Sequence, residues 1–147
     1  MAIQIPERIY TKIAAHLEAA FPNEGGGLLL GEDTDDDRGH RHVRKILPFE
    51  NTFSPDEQHH RYKLPINAVM NGEDMADDLG LAVIGIFHSH PKQQAVPSAY
   101  DCKEALPWWS YLIVSVHANG TGTARSWLLS DDRTQFNEER VTIQAGH

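Results

Sequence analysis

The chain has 147 residues, 40% of them apolar and 23% charged, which suffices for a buried core without disulfides and is too apolar for a disordered segment. Its formal charge of −8, from 21 acidic against 13 basic residues, argues against phosphate-backbone binding, where lysine and arginine displace counterions; no nucleic-acid partner is expected. The lone cysteine, Cys102, excludes an internal disulfide and favours a reducing compartment.

In chain order, the N-terminus carries no basic segment leading into an apolar core, and nowhere are there about 18 consecutive apolar residues. A cytoplasmic chain with no membrane segment is the expectation. Pro6 opens a helix whose apolar positions Ile9, Ile13, Leu17 and Ala20 recur every three to four residues, and Pro22 ends it. "GGGLLLG" (25–31) reads as a short buried strand, followed by the acidic loop "GEDTDDDRG" and a strand at "HVRKIL" (42–47). "HHRYKL" (59–64) is a further candidate strand. Pro65 opens a second helix, weakened at Asn71-Gly72 and closed at Gly80. "LAVIGIF" is the next strand, "PSAYDCKEAL" (97–106) a short helix, and "YLIVSV" (111–116) a buried strand. "NGTG" (119–122) turns into "TARSWLL", and "ERVTIQ" supplies a last strand. No repeat, low-complexity tract or linker divides the order, so residues 1–147 read as a single α/β domain.

The chemistry concentrates in "GIFHSHPKQQAVPSAYD" (85–101). On an extended strand, residues two apart share a face, so His88 and His90 present both imidazoles to one side while Ser89 points to the other. Asp101 lies three residues after Ser98, on one face of a helical turn. The intervening stretch from Pro91 to Pro97 is long enough to fold that turn back over the strand end. Two neutral imidazoles and one carboxylate form a three-ligand tetrahedral zinc site with its fourth position left for water, the open arrangement of catalytic zinc. Zinc there brings the pKa of its water toward about 7 and polarises a carbonyl, which suits hydrolysis of a peptide or isopeptide bond. Glu24, beside Gly25, Gly26 and Gly27, is the candidate general base. Ser98 is the candidate donor to the oxygen of the attacked carbonyl.

Each residue also has a plainer reading. Strand-end histidines are often only hydrogen-bonded, "SAYD" is a helix start with Ser98 as N-cap and Asp101 favoured by the helix dipole, and a lone glutamate is usually a solvated acid. Ser98 can cap and donate at once. Cys102, about 100° round a helix from Asp101, is not expected to ligate. His16, His40, His42, His59, His60, His117 and His147 have no comparable partner spacing and read as surface or structural residues. The acidic clusters read as solvated faces, with a docking surface for a basic partner as the alternative.

Together these residues resemble the JAMM (MPN-plus) metalloprotease family. Its pattern is an upstream glutamate, then His-Ser/Thr-His, seven residues, Ser, two residues and Asp. Glu24, His88, Ser89, His90, Ser98 and Asp101 match it without a gap. "FPNEGGGLLLG" and "YLIVSV" are similar to the family's flanking segments, and the resemblance spans roughly residues 5 to 145. It implies a curved, mixed β-sheet packed between helices, as in the cytidine-deaminase-like architecture. The deaminases' own His-x-Glu and Pro-Cys-x-x-Cys signature is absent. It implies zinc held by His88, His90 and Asp101, proton transfer by Glu24 and assistance by Ser98. Gly26 departs from relatives that often carry cysteine there, outside the catalytic set.

The compact chain looks more like the short prokaryotic members than the ubiquitin-deconjugating branch with its insertions. The resemblance therefore implies, as partner, a ubiquitin-like or sulfur-carrier protein cleaved after its C-terminal Gly-Gly, the tail lying extended beside the metal strand. Two other classes stand beside it. One is a catalytically silent MPN-type binding or scaffold module, disfavoured because all six motif residues are kept. The other is a DNA-repair-associated JAMM-like protein, disfavoured by the acidic balance.

Overall fold

The computed structural model describes residues 2–33, 40–49, 66–98, 101–102 and 105–145. The elements run β1 (Ala2–Pro6), α1 (Glu7–Ala20), β2 (Gly26–Asp33), β3 (His40–Phe49), α2 (Ile66–Leu79), β4 (Ala82–Pro91), β5 (Ser110–His117), β6 (Gly120–Leu129) and β7 (Phe136–Gln144). The candidate strand at 59–64 lies outside the described residues.

The strands form one mixed sheet in the order β1-β3-β2-β4-β5-β6-β7, closed on itself. The expected curvature thus runs to closure. The strand that closes it is β1, parallel to both β3 and β7, and nothing local in the sequence marks it. "AIQIP" is short and abuts the helix-opening Pro6, so it reads as a lead-in to α1; its partners are remote in the chain.

Alternation along the strands sorts the core into two layers. Leu29, Phe87, Leu112, Val114 and Val116 face α1 and pack with Ile9, Ile13 and Leu17. Leu28, Leu30, Ile86 and Tyr111 face the other way, with Ala76 of α2. The period of two in the strands and of three to four in α1 therefore meet on one buried surface. No helix among the described residues is long and apolar enough to cross a membrane.

Helix α2 runs unbroken through Gly72. A Cβ there would collide with Leu28 Cδ1, so the glycine read as a weakness lets the Leu28 side chain of β2 pack directly against the helix. Gly80 ends the helix as expected, with φ +71°. Between 97 and 106 the described helix is limited to Asp101 and Cys102. Beyond it, the chain is held by polar anchors. Arg133 Nη2 donates to Ala105 O (2.8 Å), Leu106 N–H to the Tyr111 hydroxyl (2.6 Å), and Arg41 Nη2 to Trp108 O (2.7 Å).

Candidate metal centre

Strand β4 carries His88, Ser89 and His90 at its end, all buried, with His88 fully so. β4 lies between antiparallel β2 and parallel β5, where Gly26 is the partner of His88 and Ser115 that of His90. The rings face the layer away from α1, with centroids 5.1 Å apart.

Ser89 points to the opposite side, as the pleat requires. Its Oγ accepts the Gly25 N–H at 2.9 Å, while its own N–H donates to Gly25 O at 3.0 Å. This double link fastens the residue next to Glu24 onto the metal strand. Gly25 also has no room for a side chain, because a Cβ would stand 2.9 Å from Ala20 Cβ. Glu24 is consequently buried, 3% exposed, with Oε1 3.6 Å from His88 Nδ1.

Asp101 arrives from the other side. Its N–H donates to Ser98 Oγ (3.1 Å), and its Oδ2 accepts the Ser98 N–H (2.8 Å). Cys102 N–H donates to Ser98 O at 3.1 Å. This is a reciprocal capping box, so the N-cap reading of Ser98 holds. The same box aims the carboxylate at both rings: Oδ1 lies 3.6 Å from His88 Nε2 and Oδ2 3.0 Å from His90 Nε2. Ser98 itself is exposed, and with Oγ accepting from Asp101 its hydroxyl hydrogen remains available to donate.

The approach of Gln94 O to His90 Nδ1, at 3.0 Å, has no signal in the sequence because it is made by a backbone carbonyl. A carbonyl only accepts, so Nδ1 carries the hydrogen and a neutral ring directs its Nε2 lone pair at Asp101. Two acceptors at 3.0 Å require a proton or a metal cation between them. Tetrahedral zinc with bonds of about 2.0–2.1 Å sets neighbouring donors roughly 3.3 Å apart, and the separations of 3.0 and 3.6 Å bracket that value. Ligand atoms of Glu24, His88 and His90 also lie within 4.8 Å of one another. These donors thus lie close enough together to hold a metal ion.

The electrostatics agree. Burial disfavours the His88 imidazolium, yet the Asp101 carboxylate and Glu24 outweigh it and hold the pKa above the ordinary histidine value. Burial likewise opposes ionisation of Asp101, but the charge of His88, the hydrogen bond from His90 when a proton lies between them, and the Ser98 N–H hold it well below the usual carboxylate range. Such a cluster favours a positive charge at its centre.

Cys102 stays out of the group and packs against the apolar layer that contains Ala76 of α2. His16 has a structural role, with Nε2 3.0 Å from Gly26 O and its ring edge-on to Phe87 at 6.1 Å. His117 is exposed and His40 lies 3.2 Å from Gln4 Nε2. His59, His60 and His147 lie outside the described residues.

The model of the prokaryotic homologs of the JAB domain matches residues 6–130. The chain belongs to this prokaryotic JAB family. A relative from Thermus thermophilus, named a probable TtuB-protein conjugate cleaving protease, is 30% identical over 132 residues, covering 89% of this chain and 78% of that protein. A desampylase of Haloferax volcanii is 29% identical over 123 residues, covering 84% and 80%. Among solved structures, a protein from Desulfitobacterium hafniense superposes with a TM-score of 0.82 at 27% identity, covering 98% of this chain and 94% of that one. The matched span contains the positions of Glu24, His88, Ser89, His90, Ser98 and Asp101.

Proposed function

We propose that this JAB-family protein is a zinc-dependent peptidase or isopeptidase that hydrolyses the bond following the C-terminal Gly-Gly of a ubiquitin-like or sulfur-carrier protein. The observation that carries the reading is the convergence of His88 Nε2, His90 Nε2 and Asp101 at one buried strand end, with a Glu24 carboxylate oxygen within 4.8 Å of a ring nitrogen of each histidine. The conjugate-cleaving activity in the Thermus thermophilus relative's name supports the reaction class.

His88, His90 and Asp101 would hold the zinc. Bound there, zinc supplies Lewis acidity toward the carbonyl and lowers the pKa of water at the open position. Glu24 accepts the proton of the attacking water on a carboxylate oxygen and returns it to the leaving amine. Ser98 donates its hydroxyl hydrogen to the oxygen of the attacked carbonyl. Gln94 O keeps the His90 ring in the orientation that presents Nε2, and Ser89 keeps Glu24 against β4. The substrate tail, flat at its two glycines, lies extended along the metal strand.

The test is intact-mass spectrometry of a small ubiquitin-like protein extended past Gly-Gly, incubated with the zinc-loaded protein and with the Glu24→Gln variant. Expected are cleavage after the second glycine and a loss of roughly 10²–10⁴-fold in the variant at unchanged zinc stoichiometry. A zinc-loaded Glu24→Gln variant that cleaves at the wild-type rate would remove Glu24 from the proton transfer.

A further inference from the structure

Away from the metal centre, cationic side chains gather in one place. Helix α1, strand β3 and the junction of α2 with β4 enclose a cleft of ≈ 370 Å³. Four cations, Arg8, Lys12, Arg44 and Lys45, surround an apolar floor that includes Ile9 and Ile46, and no acidic side chain among the described residues lines it. This occurs in a chain whose net charge is −8. Arg8 and Lys12 stand one helical turn apart on α1, a like-charge spacing that weakens a helix. Arg44 is paired with Glu32 at 2.6 Å. Among the described residues, the side chains of Arg8, Lys12 and Lys45 make no hydrogen bond or ion pair. Leu79, at the rim, is 52% exposed.

The cleft is separate from the candidate metal centre. It touches β4 at its beginning, beside Leu81, whereas His88 stands near the other end, roughly 20 Å away at about 3.3 Å per residue. None of the six motif residues lines it.

We propose that this cleft docks an acidic segment of a protein partner, one that also carries an apolar side chain. A small anion would engage the cations and leave the half-buried Ile46 and Leu81 and the exposed Leu79 uncovered. An apolar anchor alone would leave three unneutralised cations around it. A segment with both features satisfies the whole lining, and the cationic patch would speed its encounter with an otherwise acidic protein. A nucleic acid is disfavoured because the remaining surface repels a phosphate backbone.

The experiment is a nitrogen-15 NMR titration of the full chain with the peptide acetyl-Glu-Leu-Asp-Glu-Leu-Asp-amide at low salt. Parallel titrations use the same peptide with both leucines replaced by glycine, and inorganic pyrophosphate. Expected are saturable shifts at the amides of Arg8, Lys12, Lys45 and Leu79, without shifts at His88 or His90. Affinity falls about tenfold for the glycine peptide and for the Lys12→Glu/Lys45→Glu variant, and falls again with salt as the Debye length shortens. If that variant does not fold, Lys12→Ala/Lys45→Ala carries the comparison. Pyrophosphate binding as tightly as the leucine peptide would make this a small-anion pocket and overturn the proposal. So would the absence of saturable shifts, or shifts confined to another surface.

Discussion

Replacing Ser89 by alanine removes the oxygen that accepts the Gly25 N–H at 2.9 Å, at a site where Ser89 is 0% exposed. Water cannot take over the stranded donor, and an unsatisfied buried N–H costs about 1–3 kcal/mol. The backbone bond from Ser89 N–H to Gly25 O, 3.0 Å, survives, so the strands stay paired and the penalty is confined to one donor. At about 2 kcal/mol, and about 2–4 °C per kcal/mol for a domain near 150 residues, Tm falls by roughly 4–8 °C. A second effect follows from position: Glu24 precedes Gly25 directly, so loosening Gly25 loosens the group proposed to move the proton. Under the proposed function kcat therefore falls more than KM rises, and Ser89→Thr, which retains the acceptor, restores both Tm and kcat. Thermal melts at fixed zinc, paired with steady-state cleavage of the Gly-Gly-extended protein, measure the two effects. A Ser89→Ala protein melting within about 1 °C of wild type with unchanged kcat would refute the reasoning.

Asp101→Asn keeps the capping geometry near Ser98 but removes the charge that faces both rings, so zinc affinity falls sharply in a competition titration with a chromophoric chelator; unchanged affinity would point to Glu24 as the third ligand. Tyr111 supplies a pH test, because burial pushes its hydroxyl up to about 12. Its folded pKa exceeds the unfolded value of about 10, so its contribution is full below pH 10 and is lost between about pH 10 and 12, amounting to roughly 2–3 kcal/mol. Urea midpoints of wild type and Tyr111→Phe should therefore converge as pH rises through that window, and a gap that stays constant would show that the hydroxyl does not titrate there.

Much of the site was legible because its determinants are local. Pleating alone puts His88 and His90 on one face, and a three-residue spacing alone lets Ser98 and Asp101 form a capping box. The JAMM resemblance then joined Glu24 to them across the chain. What could not be read was how Glu24 is held. That depends on a serine reaching a glycine 64 residues away, a contact that neither residue's neighbours encode. Gln94 was equally silent, since any residue type supplies a carbonyl.

The same division runs through the fold. Hydrophobic period by itself determined α1, α2 and most strands, and it determined which faces are buried. The tertiary structure alone decided that the sheet closes, because closure rests on β1 meeting both β3 and β7 in parallel, and strand register between remote segments leaves no trace in local composition. It also decided that Gly72 marks a close helix–sheet contact. The gathering of Arg8, Lys12, Arg44 and Lys45 around one cleft is of the same kind: charge is written residue by residue, but the field a partner meets is set by which residues the fold brings together.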